Sequence, residues 1–263
     1  MIAFPCAKIN LGLRIIRKRP DGYHDLETAF VKIPLRDALE VLPSDCLLWD
    51  GAEDFPEDNL VAKAYRALQR LRPGVPPARF ILRKKIPSGA GLGGGSSDAS
   101  TALRLLDELF DLRLSEDELH RTARSLGADC PFFLKDEPQY AEGIGDLLTP
   151  VSLPLGGLKL TLVFPELFIS TREAYSSVTP REPEEPLIET LRRPIEEWRA
   201  TLKNDFEASL FPKYPLLSEI KETLYRNGAL YASMSGSGST MYALSRQALN
   251  LPNDYKHQTF SLK

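Results

Sequence analysis

The sequence predicts the α+β fold class, and three observations point that way. Period-two apolar runs and longer runs of helical period follow one another without strict strand–helix alternation. At 263 residues the chain can bury one large core or two of ordinary size. Hydrophobic residues at 43% and charged residues at 26% give the balance of an ordinary globular protein. A boundary near Pro154–Leu158 is expected to divide the chain into two domains, 1–154 and 155–263.

Taken in order, Ile9, Leu11, Leu13 and Ile15 alternate with Asn10, Gly12 and Arg14 and predict a strand. Arg17–Gly22 reads as a turn, with Pro20, Asp21 and Gly22 as its punctuation. Strands follow around Phe30–Leu35 and Ala38–Leu42. Leu60, Ala64, Ala67, Leu68 and Leu71 share one face of a helix over 59–71, which Arg72–Pro77 ends. A strand over Phe80–Ile86 leads to a glycine-rich loop and a helix over Ser96–Phe110. Ser115 and Glu118 have capping-box spacing, so a second helix runs to about Leu126 with Gly127 as its stop. Gln139–Val151 reads as a hairpin turning at Glu142–Asp146, and Leu158–Phe164 as a strand. Thr179–Pro186 reads as an exposed loop and Pro215–Asn227 as a helix ended by Gly228. Leu230–Met234 then enters a second small-residue run, Ser235–Thr240.

The net charge of -3 and pI of about 5.8 argue against a nucleic-acid binder, which needs a basic face. They leave room for a small anionic ligand held by a local basic cluster. Cys6, Cys46 and Cys130 lie far apart with no CxxC pair, so neither a zinc site nor a disulfide framework is indicated. The first residues lack a signal-peptide pattern, and no run is long and apolar enough to span a bilayer. A cytoplasmic protein is expected.

Pro87-Ser88-Gly89-Ala90-Gly91-Leu92-Gly93-Gly94-Gly95-Ser96-Ser97 is the most informative stretch. Five glycines lie within seven residues immediately before a helix, so backbone N–H groups can converge on an anion at the positive end of the helix dipole. The bland alternative is a flexible connector, but Leu92 anchors the loop and its two flanking elements hold it tightly. A Walker A loop would end in Gly-Lys-Ser/Thr, and a Rossmann fingerprint would open a βαβ unit. Neither fits, and phosphate binding is the reading kept.

This loop resembles the second motif of the GHMP kinase superfamily, which includes galactokinase, homoserine kinase and mevalonate kinase. Ala7–Leu13 resembles that family's N-terminal motif, and Ser233–Leu244 its C-terminal glycine motif. Gly93–Ala99, Asp21–His24, Leu126–Phe133 and Asn204–Glu207 are similar to the branch that acts on a cytidine-diphosphate polyol. The match runs in order to about Leu244. At Ser239 the family more often has proline or alanine, and the tail beyond Leu244 has no assigned role.

The resemblance implies an N-terminal domain like the second domain of ribosomal protein S5, a ferredoxin-like C-terminal domain and an active site in the cleft between them. It implies ATP-dependent phosphorylation of the 2-hydroxyl of a methylerythritol moiety, on the non-mevalonate route to isoprenoids. The partner would be that small molecule, with no nucleic acid or membrane, and the protein a monomer or weak homodimer. ATP would enter with Mg2+, with no tightly bound cofactor and no dedicated metal ligands; Ser97 is the best metal contact. Other readings are a homoserine- or mevalonate-type kinase and a non-catalytic nucleotide-binding module.

From the residues alone, Asp129 reads equally as a base for the attacking hydroxyl or as the cap of a helix holding Pro131–Phe133; the resemblance favours the base. Lys8 either pairs with a carboxylate such as Asp129 or lies on the solvent face of its strand. Asn10, on the same face, is read as orienting substrate. By resemblance Tyr23 and His24 hold the cytosine, with Tyr175 closing its other face. Asn59, Lys84 and Lys85 are candidates for contacting ATP, Lys85 equally a solvated strand end. Gly236 and Gly238 allow close approach of the C-terminal motif.

Overall fold

Alternating apolar residues build most strands, and the computed structural model describes residues 1–50 and 59–262. In chain order the strands are β1 (Ile2–Ala3), β2 (Cys6–Lys18), β3 (His24–Arg36), β4 (Ala38–Pro43) and β5 (Leu48–Asp50). Helix α1 (Leu60–Leu71), β6 (Ala78–Arg83), α2 (Gly94–Leu109), α3 (Glu116–Leu126) and a 3-10 turn (Pro131–Leu134) follow. Next come β7 (Gln139–Glu142), β8 (Leu147–Pro150), β9 (Lys159–Val163), α4 (Thr171–Ser177), α5 (Leu187–Leu191), α6 (Ile195–Thr201) and α7 (Asp205–Leu210). Helix α8 (Pro215–Arg226), β10 (Tyr231–Met234), β11 (Met241–Ser245) and β12 (His257–Ser261) complete the order. The class is α+β, as the mixed periodicities predict.

Two units interleave along the chain: Met1–Lys8, Pro34–Ser88 and Gly93–Asp136 form the first, and Ile9–Ile33, Gly89–Leu92 and Glu137–Lys263 the second. In the first, a sheet of order β1-β4-β6-β5 backs α1, α2 and α3. Strands β4 and β6 are antiparallel and β5 joins β6 in parallel. Val61, Ala64, Tyr65 and Leu68 of α1 and Ala99, Ala102, Leu103 and Leu106 of α2 repeat at helical spacing and are buried. They join Val41, Phe80 and Leu82 in one core. The capping box forms: Ser115 Oγ accepts from Glu118 N, and Glu118 Oε2 accepts from Ser115 N.

The second unit contains sheets of order β2-β3-β7-β8 and β10-β11-β9-β12. Pairing is antiparallel from β3 through β7 to β8, and throughout the second sheet. Leu13, Val163, Phe206, Leu217, Met234 and Met241 anchor its core. The tail left unassigned by sequence supplies β12, which pairs with β9 from His257 to Ser261.

Some boundaries differ from expectation. Strand β6 ends at Arg83 rather than Ile86, because the backbone N–H groups of Lys85 and Ile86 turn to the Asp37 carboxylate instead of a ladder. Helix α2 starts at Gly94, so two of the loop's glycines lie in its first turn. The short helices α4 to α7 have no counterpart in the sequence reading; Pro186, the last residue of the expected loop, caps α5, and Pro194 caps α6.

Candidate active site

Gly93 is the N-cap of α2 at φ +67° and brings no side-chain acceptor to the first-turn N–H groups. A Cβ there would lie 2.9 Å from Phe133 Cζ and 3.1 Å from Lys8 Cε. Glycine is therefore needed for both conformation and space, and the stem of Lys8 runs against the exit of the loop. Lys8 Nζ is 3.4 Å from Asp129 Oδ2, with the lysine side chain 5% exposed and the aspartate 35%. The strand that carries Lys8 is buried on both faces from Ala7 to Leu13, so the solvent-face reading of Lys8 does not hold.

Asp129 sits in the bend after α3. Cys130 N donates to Gly127 O at 3.1 Å, and Ser100 Oγ of α2 donates to Cys130 O at 2.7 Å. The following 3-10 turn has Cys130 at its cap position with no side-chain cap bond, which removes capping as the task of Asp129. Burial pushes the Cys130 thiol up to about 11, so it stays protonated and unreactive.

Lys84 lies between two buried carboxylates. Its ammonium contacts Asp37 Oδ2 and stands 2.6 Å from Asp98 Oδ2 on α2. Asp37 Oδ1 accepts from the backbone N–H groups of Lys85 and Ile86, the latter at 2.8 Å. Burial outweighs the attraction of Lys84 and pushes the Asp98 carboxyl up to about 7, with Asp37 adding in the same direction. Asp98 Oδ1 is buried without a hydrogen-bond partner among the described residues. Asn59 spends its Oδ1 on Val61 N at 2.8 Å as the cap of α1. Ser97 is buried in the first turns of α2.

In the second unit, the middle of the loop meets the C-terminal glycine motif. A Cβ on Gly91 would overlap the Ser235 carbonyl oxygen, and φ is +75° there. Ser235 Oγ donates to Gly91 O at 2.9 Å. Gly236 faces Asn10, whose Nδ2 donates to Thr28 Oγ1 at 3.0 Å, while Tyr242 Oη donates to Asn10 O at 2.7 Å. Gly238 packs on Met234, and Ser239 Oγ donates to Leu167 O at 2.6 Å. His24 and Tyr175 stand ring to ring at 4.9 Å, and Tyr175 meets Phe206 edge-on. Burial, with Lys18 nearby, lowers the His24 pKa and keeps the imidazole neutral, offering one donor and one acceptor. Tyr23 is exposed, its N–H held by Asp21 Oδ1 at 3.0 Å. Sequence reasoning missed Asp37, Asp98 and Ser235. Nothing local marks Asp37, whereas Asp98 lies in the segment Gly93–Ala99 and Ser235 in the C-terminal glycine motif, both of which the sequence singles out.

Residues 59–137 match GHMP kinases N terminal domain, and 186–253 match GHMP kinases C terminal. A 4-diphosphocytidyl-2-C-methyl-D-erythritol kinase of Bacteroides fragilis is 51% identical over 256 residues, covering 93% of this chain and 92% of its own. The chain belongs to this family of GHMP kinases. A crystal structure of 4-(cytidine 5'-diphospho)-2C-methyl-D-erythritol kinase superimposes on the kinase with a TM-score of 0.81 at 35% identity, covering 93% of this chain and 90% of its own. A homoserine kinase from Cytophaga hutchinsonii gives 0.64 at 16% identity, covering 97% and 93%, and shares the fold. Kinases of this family use ATP as co-substrate. Among the described residues, no three His, Cys, Asp or Glu side chains gather as a metal cage, and no helix is long and apolar enough to cross a membrane.

Proposed function

We propose that this kinase transfers the γ-phosphoryl group of ATP to the 2-hydroxyl of 4-diphosphocytidyl-2-C-methyl-D-erythritol, a step in non-mevalonate isoprenoid precursor synthesis. The observation that carries the reading is the Lys8–Asp129 couple at 3.4 Å, its lysine stem lying against Gly93 where the loop enters α2. The half-exposed carboxylate accepts the hydroxyl proton as the oxygen attacks the γ-phosphorus, the bond to the β-phosphate oxygen breaks, and ADP leaves. The buried ammonium orients Asp129 and offsets the charge that develops on the transferring group.

In this reading the loop Pro87–Ser97 cradles the phosphates with its backbone N–H groups from Ser88 onward. Asn59 and Lys84 serve the nucleotide, Lys84 by leaving one of its acids, and Asn10, Tyr23, His24 and Tyr175 serve the acceptor. A cytosine between His24 and Tyr175 needs their centroids about 7 Å apart, twice the ~3.5 Å carbon contact distance; the present 4.9 Å calls for one ring to move. Mg2+ neutralises phosphate charge when it enters with ATP, and Ser97 is its proposed protein contact. Residues 1–154 would carry the nucleotide loop and 155–263 the C-terminal motif; the two family-model matches fall on either side of that division. Cys6, Cys46 and Cys130, which form no disulfide among the described residues, suit a reducing cytoplasm, and a monomer or weak homodimer is part of the proposal.

The test is a panel of acceptors: the cytidyl-diphospho polyol, homoserine and mevalonate, each with ATP. Turnover is expected with the first alone. Asp129→Asn should lower kcat by about 10²–10⁴-fold while ATP binding persists by calorimetry. Turnover with homoserine or mevalonate alone would overturn the acceptor assignment, and a fully active Asp129→Asn would remove the base.

A further inference from the structure

The segment Asn204–Glu207 has no task in the reading above, yet it grips the C-terminal glycine motif. Asn204 is 2% exposed and caps α7, its Oδ1 accepting from Phe206 N at 3.0 Å. Its Nδ2 donates to two carbonyls, Met234 O and Gly236 O, each at 2.8 Å. One turn later, Glu207 Oε1 accepts from Ser233 Oγ and from Met234 N, both at 2.8 Å, while its Oε2 pairs with Lys221. A single turn of helix therefore fixes residues 233, 234 and 236. The residue between them, Ser235, presses its carbonyl on Gly91 and donates its hydroxyl to Gly91 O, and a Cβ on Gly236 would lie 3.2 Å from Asn10 Oδ1.

We propose that Asn204 is a positioning residue for phosphoryl transfer. Its carboxamide holds the turn Ser235–Gly236, and that turn sets the height of Gly91 in the phosphate loop and the direction of Asn10. The side-chain chemistry is demanding: one acceptor for the helix cap and two donors for two carbonyls. An amide supplies all three, whereas a carboxylate supplies acceptors only and a hydroxyl a single donor. Strand β10 ends at Met234, so beyond it the amide of Asn204 replaces what the ladder no longer provides. The inference deepens the kinase reading and rests on it for its kinetic consequence.

Three variants test it beside the intact protein. Asn204→Ser keeps a capping oxygen and loses the pair of donors; Ser235→Ala cuts the next link, to Gly91. Leu210→Val loosens the same helix without touching the turn. For Asn204→Ser, kcat/KM for ATP should fall by about 10–100-fold, as misplacement of positioning groups does. Ser235→Ala should fall by about 10-fold, and Leu210→Val should lose Tm with wild-type kinetics. Amide exchange across residues 89–92 should quicken in the first two variants, with or without substrate. Wild-type kinetics and exchange in both would overturn the proposal, as would a loss that merely follows Tm as in Leu210→Val. Should Asn204→Ser give no cooperative melt, Ser235→Ala decides alone. An inactive wild type with quickened exchange in the variants would instead sink the kinase reading and leave the mechanical link standing.

Discussion

The flanks of the glycine loop and its centre are held by different chemistry. At the flanks, Asp37 grips the incoming Lys85–Ile86 backbone, and Lys84 joins it to Asp98 on the outgoing helix, one ammonium between two buried acids. At the centre, Gly91 is held by a neutral hydroxyl and by direct backbone contact with Ser235. Long side chains with paired charges tolerate small shifts of the elements they join, but they depend on protonation. Backbone contact tolerates almost no shift and is indifferent to pH. The centre of the loop is thus held sterically, while the surrounding elements are held electrostatically.

Breaking the charged grip should have the largest effect. Asp37→Ala leaves Lys84 with Asp98 alone and strips two backbone donors of their acceptor. A loss of about 3–5 kcal/mol, typical of a half-removed buried ion pair, is expected in urea melts; a loss under about 0.5 kcal/mol, the range of ordinary surface changes, would show that the grip is idle. A step smaller, Gly91→Ala forces a Cβ into the Ser235 carbonyl at a left-handed φ, with strain of about 1–3 kcal/mol. Its signature is weakened ATP binding out of proportion to the stability lost, measured by calorimetry beside thermal melts. Equal ATP affinity would remove the steric account.

The sharpest test of the contrast concerns pH. Asp98 moves from an ordinary value of 3.8 up to about 7 in the folded protein. The folded state therefore holds this proton more tightly than the unfolded chain, and the group opposes folding increasingly as pH climbs from about 4 to about 7. In Asp98→Asn that decline should vanish, so the Tm difference, variant minus wild type, becomes more positive across this window. Parallel Tm curves would show that burial does not govern Asp98. Ser235→Ala, in the neutral grip, should show a Tm offset that stays constant with pH.

How much of this was readable in the sequence depended on whether the signal was local. Five glycines before a helix, the Ser115–Glu118 box and the alternation of Ile9 to Ile15 each declare themselves within a few residues, and all three are present in the structure. Asp37 does not: an acid between two strands looks like surface until a lysine nearly fifty residues on is known to meet it. Asn204 was visible as part of a family segment, but its two carbonyl partners lie thirty residues away. The helices α4 to α7 escaped because each is seven residues or shorter, too brief for a period of 3.6 to emerge. Nor could local pattern show that residues 9–33 belong with 137–263, since distant strand pairing settles that.

That interleaving shapes how the chain is born. Strands β2 and β3 leave the ribosome roughly a hundred residues before β7, the neighbour that completes their sheet, so they must wait as an unfinished hairpin. Late-made partners for early-made strands mean high contact order and slow closure. Nascent chains of this kinase are thus expected to shelter with chaperones through most of synthesis.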